Sequence, residues 1–241
     1  MQVIHEQSNS PLVISIPHSG TDIPQDIALL CNLAAKREHT DWALPELVAP
    51  LSEMTLVATV SRYIVDVNRF KPRTRKATQP IIPRIDEVGH QLFNNYPSKQ
   101  KQADWLERYY VSYYLHLEKL LNEKLEQHER VLLVDLHSYD DTLFKTSDII
   151  LGTRKKQTLC QDTLKQLQLL FYEEGLTTRV DTPFSGGNII ATFGKHPRIE
   201  AVQIEVPYSL YLEGYSLHPE RASILQTQFQ NIFQKVQMYH F

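Results

Sequence analysis

Residues 131–138 read Val131-Leu132-Leu133-Val134-Asp135-Leu136-His137-Ser138. The apolar run over residues 131–136 is typical of a strand that is buried on both faces of a sheet. It ends in two polar residues, and ligands of open α/β sheets bind at the carboxyl ends of strands. Because side chains of a strand alternate in direction, Asp135 and His137 share one face. The segment therefore predicts a central strand with functional side chains at its end.

The rest of the chain alternates between apolar runs and helical spacing. We predict further strands over residues 12–16, 55–60, 63–67, 148–152 and 201–206. We predict helices over residues 26–36, 45–51, 103–127, 158–174 and about the last twenty residues, with Gly175 as the C-cap of the fourth. Such alternation favours an α/β fold with a mixed, largely parallel central sheet and helices on both faces. We expect residues 1–241 to form a single domain.

Residues 70–97 are rich in proline and charge and show little periodicity. They predict a long surface excursion, and loops of this length are usually functional or mobile. The densest basic run, residues 71–76, is either a solvated loop or a rim that attracts an anionic substrate.

The composition excludes several classes of protein. A net charge of -3 gives no field that would recruit nucleic acid. The two cysteines, Cys31 and Cys160, are too few for a disulfide framework and fit a reducing compartment. The first ten residues are polar, and no stretch approaches the ~18 apolar residues of a membrane span. We therefore expect a cytoplasmic protein that binds neither nucleic acid nor membranes.

Four candidate functional residues lie at or near the ends of predicted strands. They are His18, Asp41, His137 and Glu205. A catalytic zinc ion takes about three protein ligands and keeps one position open. The two histidines and Asp41 can fill these positions. Glu205 lies between two apolar residues, which would raise its pKa towards the range of a general base. The alternative is that Glu205 is a paired carboxylate at a strand end.

Three further polar residues, Arg62, Asn68 and Arg69, suit the binding of a carboxylate. A guanidinium can donate two hydrogen bonds to a carboxylate, and an amide can add a third. A second arginine near a metal could stabilise an oxyanion. The alternative is that these arginines pair with internal acids such as Asp66.

Eight short segments together resemble the N-formylglutamate amidohydrolase family, which belongs with the zinc carboxypeptidase-like hydrolases. They appear in the family's order and extend from about residue 11 to residue 214. The segments are Ser15-Ile16-Pro17-His18-Ser19-Gly20-Thr21, Thr40-Asp41-Trp42, Ser61-Arg62-Tyr63-Ile64-Val65-Asp66-Val67-Asn68-Arg69, Asp135-Leu136-His137-Ser138, Leu151-Gly152-Thr153, Phe184-Ser185-Gly186-Gly187, Ala201-Val202-Gln203-Ile204-Glu205 and Tyr211-Leu212-Glu213.

The resemblance implies a zinc-carboxypeptidase-like fold and one Zn²⁺ per chain, held by His18, Asp41 and His137. It implies Glu205 as the general base and acid. We expect Arg62 to face the developing oxyanion. Substrate binding would fall to Asn68, Arg69, Gly186 and Gly187. The implied substrate is a small acidic N-acyl amino acid such as N-formyl-L-glutamate.

The chain departs from the family pattern at two places. Thr21 stands where carboxypeptidases carry the glutamate of a His-x-x-Glu motif, so the carboxylate ligand is assigned to Asp41. No arginine follows Gly187 within the segment Asn188-Ile189-Ile190-Ala191-Thr192, where the formylglutamate hydrolases carry one. The acidic side chain of the substrate would then be bound elsewhere, for instance by Arg73, or the substrate would differ.

Three other functions compete with this one. A zinc peptidase would use the same scaffold and metal, and a non-catalytic carboxylate-binding protein would use the same scaffold. A serine hydrolase with Ser138 beside His137 is disfavoured, because neighbouring strand residues point to opposite faces and the chain has no GxSxG elbow.

Overall fold

The computed structural model describes residues 1–5, 8–28, 40–70, 80–86 and 89–238. At its centre lies a seven-stranded sheet. The strands of this sheet are β1 (Gln2–Ile4), β2 (Leu12–Ile16), β3 (Met54–Val57), β4 (Val131–Tyr139), β5 (Ile149–Gly152), β6 (Thr178–Val180) and β7 (Ile199–Pro207). Two short strands, β8 (Leu212–Glu213) and β9 (Ser216–Leu217), pair with each other outside it.

The strand order is β1-β3-β2-β4-β7-β5-β6. The four strands β3, β2, β4 and β7 run parallel to one another. Strand β1 pairs antiparallel with β3, and β5 pairs antiparallel with β7. The predicted α/β fold with a mixed, largely parallel sheet is thereby confirmed. The carboxyl ends of the four parallel strands meet at one edge of the sheet.

Helices cover both faces of the sheet. The α-helices of the described residues are α1 (Gln25–Ala28), α2 (Leu44–Val48), α3 (Lys99–Trp105), α4 (Ser112–Gln127), α5 (Asp141–Phe144), α6 (Gln161–Glu173), α7 (Asn188–Phe193) and α8 (Pro219–Met238). A π-helical turn, Leu106–Val111, joins α3 to α4. Along the described chain, none of these helices has the length and apolar character needed to cross a bilayer.

Alternate residues of the central strands separate the core into two clusters. Ile14 of β2 packs in a cluster with residues of α2, α6 and α8. Its neighbour Val13 packs in a second cluster with residues of α3, α4 and α7. This alternation follows from the twofold period of a strand. It buries all five residues of β2 and all nine of β4, as the apolar run predicted.

The predicted strand over residues 63–67 is wrong. Here the backbone makes local turn bonds, from Ile64 N to Ser61 O and from Val65 N to Ser61 O. Ile64, Val65 and Val67 are nevertheless buried in the core. A short apolar run indicates burial but does not separate a strand from a buried turn.

Residues 80–86 and 89–97 were predicted as part of a surface excursion, but they contribute to the core. Ile81, Ile82, Leu92 and Phe93 are buried in the second cluster. The stretch has no helix up to Lys99, and it holds an antiparallel bridge between Ile85 and Gln91. Because proline breaks strand pairing, the segment packs without regular structure.

The other predicted strands and helices that fall within the described residues form, with ends that differ by a few residues. The predicted helix over residues 103–127 begins earlier, at Lys99, where Ser98 accepts a hydrogen bond from Lys101 N as the N-cap. Gly175 follows α6 with φ +77°, as a C-cap glycine should. Cys160 is exposed and free. Cys31, most of the predicted helix over residues 26–36, and the basic run over residues 71–76 lie outside the described residues.

Candidate metal centre

Two histidines and one aspartate meet at the carboxyl edge of the sheet. His18 lies just after β2, and His137 lies in the neighbouring strand β4, so their ring centroids are 4.7 Å apart. Asp41 Oδ2 is 2.9 Å from His137 Nδ1 and 3.9 Å from His18 Nδ1. One ligand atom from each residue lies within 4.8 Å of the others, and all three residues are buried. The structure thus brings together the three predicted ligands.

Asp41 reaches this cluster from a loop rather than from a strand. Its backbone N–H donates to His18 O at 3.1 Å, and the hydroxyl of Ser19 donates to Asp41 O at 2.5 Å. The Tyr208 hydroxyl holds the preceding carbonyl, that of Thr40, at 2.8 Å. These bonds fix the carboxylate beside the two rings.

A second carboxylate lies behind each histidine. His18 Nε2 is 2.7 Å from Asp66 Oδ1, and His137 Nε2 is 3.1 Å from Asp135 Oδ2. A histidine that binds a metal almost always donates its other N–H to such a group. With the ring proton on Nε2, the Nδ1 atoms would be free to bind a metal beside Asp41; without a metal, His137 Nδ1 lies 2.9 Å from Asp41 Oδ2, where a protonated ring donates to it. Both histidines therefore have the orientation that metal ligands require.

The charge around His137 fits a cation. Burial alone would lower its pKa, but the carboxylates of Asp135 and Asp41 raise it well above the usual value. The pKa of His18 is lowered by burial and by the positive charge of Arg62. The negative charge that holds a proton on His137 would equally attract a metal ion. Two imidazole nitrogens and a carboxylate oxygen are a donor set that zinc prefers.

Glu205 lies next to this cluster without belonging to it. It pairs in register with His137, because β4 and β7 are adjacent parallel strands. Its Oε1 accepts a hydrogen bond of 2.7 Å from Gln203 Nε2. Burial raises the pKa of Glu205 to about 8. A carboxyl group with such a pKa can accept and return a proton near neutral pH.

The two predicted arginines share one acid. Arg62 Nη2 is 3.2 Å and Arg69 Nε is 3.0 Å from Asp66 Oδ2. Both arginines therefore pair with Asp66, as the alternative interpretation predicted. The positive charges of His18 and Arg62 hold the pKa of Asp66 well below its usual value, against the effect of burial. Asp66 thus links the arginines to a histidine, which the sequence did not predict.

The side chain of Asn68 faces into the protein framework. Its Nδ2 donates to Asp135 Oδ2 at 2.8 Å and lies 2.9 Å from His137 Nε2. Its Oδ1 accepts from the N–H of Ile189 at 2.9 Å. A β-carbon on Gly187 would lie 2.3 Å from this oxygen, so the glycine allows the close approach.

A cavity of about 420 Å³ contains these groups. Its polar lining includes all nine predicted site residues, namely His18, Asp41, Arg62, Asn68, Arg69, His137, Gly186, Gly187 and Glu205. Its wall also contains Tyr139, Phe144, Phe184 and Tyr208, which the sequence analysis did not single out. Single aromatic residues in a strand, a helix or a loop give no sequence signal of their own. Arg73, which could bind the acidic side chain of the substrate, lies outside the described residues.

Comparisons with known proteins identify the family of this chain. The family model described as N-formylglutamate amidohydrolase matches residues 10–212, and the chain belongs to this family. An N-formylglutamate deformylase of Pseudomonas aeruginosa is 28% identical over 232 residues, which cover 90% of this chain and 87% of the relative.

Two solved structures share the fold. One is an N-formylglutamate amidohydrolase from Ralstonia eutropha JMP134, with TM-score 0.82, 21% identity, and coverage of 99% of this chain and 97% of that chain. The other is a protein from Agrobacterium tumefaciens, with TM-score 0.77, 17% identity, and coverage of 98% and 92%.

Proposed function

We propose that this chain is a zinc-dependent amidohydrolase that cleaves a small N-acyl amino acid, with N-formyl-L-glutamate hydrolysed to formate and glutamate. The observation that carries the proposal is the pair of histidines backed by carboxylates beside Glu205, a buried carboxyl group whose pKa is raised to about 8. The Pseudomonas aeruginosa relative is an N-formylglutamate deformylase, which supports the choice of substrate.

His18 Nδ1, His137 Nδ1 and Asp41 Oδ2 would hold one zinc ion per chain. When bound, zinc supplies Lewis acidity, which polarises an amide carbonyl and lowers the pKa of water to about 7. Asp66 and Asp135 fix the two rings through their Nε2 atoms. Asn68 supports this arrangement by contacting Asp135 and His137, so we assign it a positioning role next to the substrate.

Glu205 is the proton carrier of the proposed reaction. As a carboxylate it accepts a proton from the attacking water, and it then delivers the proton to the leaving nitrogen. Gln203 donates to Glu205 Oε1 and accepts, through its own oxygen, from the N–H of Gly187 at 2.8 Å. This chain of contacts fixes the direction of the carboxyl group.

Arg69 is the proposed partner of the substrate's α-carboxylate. Its side chain is 38% exposed, and its Nε bond to Asp66 fixes the direction of the guanidinium. Arg62 is more buried, with 14% of its side chain exposed. Its positive charge acts on His18 and lowers the pKa of that histidine. We assign Arg62 to the developing oxyanion. Gly186 and Gly187 border the substrate because they place no side chain in the cavity.

Residues 1–241 are proposed to act as one cytoplasmic domain, since both core clusters pack on the same sheet. The test of the function is metal content by mass spectrometry, paired with formate release from N-formyl-L-glutamate before and after chelation. We expect about one zinc per chain and chelator-sensitive release. A protein that takes up no zinc, even when zinc is added back, contradicts the proposal. Zinc uptake with cleavage of dipeptides alone would favour a peptidase.

A further inference from the structure

Arg154 holds the loop that borders the cavity of the candidate metal centre. Ser185, Gly186 and Gly187, which we call the glycine loop, line this cavity. The backbone N–H of Arg154 donates to Ser185 O at 2.7 Å, and its Nη1 donates to Gly186 O at 3.0 Å. Arg154 itself is not among the described residues that line the cavity. It therefore contacts the glycine loop from outside the cavity.

The same guanidinium also contacts the segment that carries Arg69. Its Cζ lies 4.9 Å from the ring centroid of Phe70, the residue that directly follows Arg69. A guanidinium that lies over an aromatic ring is attracted by the negative face of the ring. Arg154 thus joins the glycine loop to the segment of Arg69, which is proposed to bind the α-carboxylate of the substrate.

The backbone around Arg154 has an uncommon conformation. Arg154, Lys155 and Lys156 have φ of 50°, 59° and 64°. Residues other than glycine rarely adopt this left-handed region, because the β-carbon comes too close to the following carbonyl oxygen. Asp181 holds the turn with both oxygens: Oδ1 accepts from Thr153 N at 2.7 Å, and Oδ2 accepts from Thr153 Oγ1 at 2.8 Å and from Lys155 N at 3.0 Å. Such conformations persist where the surrounding structure fixes them, and they cluster at functional sites.

The second half of the glycine loop is held by other residues. The N–H of Gly187 donates to Gln203 Oε1 at 2.8 Å, and the N–H of Asn188 donates to Asn68 O at 3.1 Å. These bonds use N–H groups, whereas Arg154 binds the two carbonyl groups at the start of the loop. Loss of the Arg154 side chain would therefore release the first half of the loop while the second half stays bound.

We propose that Arg154 is a positioning residue for substrate binding, which fixes the glycine loop relative to the segment of Arg69. The inference rests on the proposed amidohydrolase function, because it concerns how that site binds its substrate. Arg154 acts through the glycine loop and Phe70, and not on the substrate itself. Its loss should therefore affect substrate binding more than metal binding or proton transfer.

The first test is the kinetics of Arg154→Ala with N-formyl-L-glutamate. We expect kcat/KM to fall by roughly 10–100-fold, the usual effect of losing a hydrogen bond from a charged group, with most of the change in KM. Zinc content should stay at the wild-type level. Arg154→Lys should recover part of the loss, since an ammonium group can still donate to Gly186 O.

The matched control is Lys155→Ala. Lys155 belongs to the same left-handed turn, but its side chain is exposed and is not part of the cavity lining. The turn of Arg154 should survive both substitutions, because the bonds of Asp181 to this turn use the backbone and Thr153. Arg154 also lines an open groove of about 1010 Å³, so Arg154→Ala creates no empty space in the core.

The second test does not depend on activity. Amide hydrogen exchange of residues 185–188, measured by mass spectrometry, should be roughly 10-fold faster in Arg154→Ala than in wild type, because a loop with fewer bonds opens more often. Lys155→Ala should show wild-type exchange in the same peptides.

Wild-type exchange in Arg154→Ala, or faster exchange with an unchanged KM, would overturn the inference. An equal rise of KM in Lys155→Ala would also overturn it, because the effect would then belong to the turn and not to the guanidinium. If the zinc-loaded wild type does not hydrolyse N-formyl-L-glutamate, the proposed function itself fails, while the exchange measurement still decides whether Arg154 fixes the loop. Circular dichroism of each variant confirms that folded proteins are compared.

Discussion

Asp66 Oδ1 lies 2.7 Å from His18 Nε2, while its other oxygen accepts from both Arg62 and Arg69. This single carboxylate therefore orients a candidate metal ligand and the candidate substrate-binding arginines together. Removing its charge should disturb metal binding before it disturbs the fold, because a neutral amide can still fill the same space.

Asp66→Asn is expected to weaken zinc binding by about 10–100-fold, the usual effect of losing a carboxylate behind a ligand histidine. The measurement is competition with a chromogenic chelator. Glu53→Gln serves as the control, since Glu53 is a buried carboxyl group that contacts Gln237 instead of the site. Equal zinc affinities in Asp66→Asn and wild type would contradict the orienting role.

Glu205→Gln should reduce kcat by roughly 10²–10⁴-fold, because general acid–base catalysis contributes about that much. Zinc content should stay at the wild-type level, since Glu205 is outside the three-residue cluster. Turnover and metal analysis on the same preparation check both statements. Turnover near the wild-type rate in the zinc-loaded variant would mean that a group other than Glu205 carries the proton.

Arg69→Ala should lower kcat/KM for the carboxylate substrate by roughly 10–100-fold, with most of the change in KM. A hydrogen bond to a charged group is worth about 1.5–3 kcal/mol, and the contact persists through the reaction. Arg69→Lys should recover part of the loss. Arg130→Ala is the control, because Arg130 pairs with Glu200 and does not line the cavity. If KM does not change in Arg69→Ala, a residue other than Arg69 binds the α-carboxylate of the substrate.

Gly187→Ala should impair activity through Asn68, since the new β-carbon would lie 2.3 Å from Asn68 Oδ1. The displaced amide would release Asp135 and His137. Gly175→Ala is a useful comparison: its φ of +77° makes alanine strained, yet nothing lies within 4 Å of the added carbon. We expect Gly175→Ala to cost about 1 kcal/mol of stability and to keep its activity. Similar activities of the two variants would argue against this role of Gly187.

In the metal-free protein, the contribution of Glu205 to stability should fall as the pH rises. The pKa of Glu205 is raised from 4.5 to about 8 in the folded state, so the folded protein binds this proton more tightly than the unfolded chain. The unfolded state loses the proton above pH 4.5, and the associated loss of stability is complete above about pH 8. In chelated protein, Glu205→Gln should therefore raise Tm relative to wild type more at pH 8 than at pH 5. A Tm difference that is independent of pH would contradict this.

Strong local patterns predicted much of the fold. The strands β2, β4 and β7 are long enough, or apolar enough, for burial to decide their structure. Residues 63–67 have a similar apolar pattern, but the N–H groups of Ile64 and Val65 bond to Ser61 O and form turns, while Asp66 N donates to Ile81 O. The antiparallel direction of β5 also has no local signal, because strand direction depends on the path of the connecting chain.

The sequence by itself indicated the family, the α/β class and nine of the residues that line the cavity. Three of them, His18, His137 and Glu205, lie in or just after neighbouring parallel strands, whose ends bring polar side chains to one edge of the sheet. Only the tertiary structure decided how those residues are paired. Asp66 lies 48 residues from His18, and Asn68 lies 67 residues from Asp135. The aromatic residues Tyr139, Phe144 and Phe184 likewise come together from a strand, a helix and a loop. Such contacts depend on the order and register of the strands. The sequence pattern of a single segment does not determine either of them.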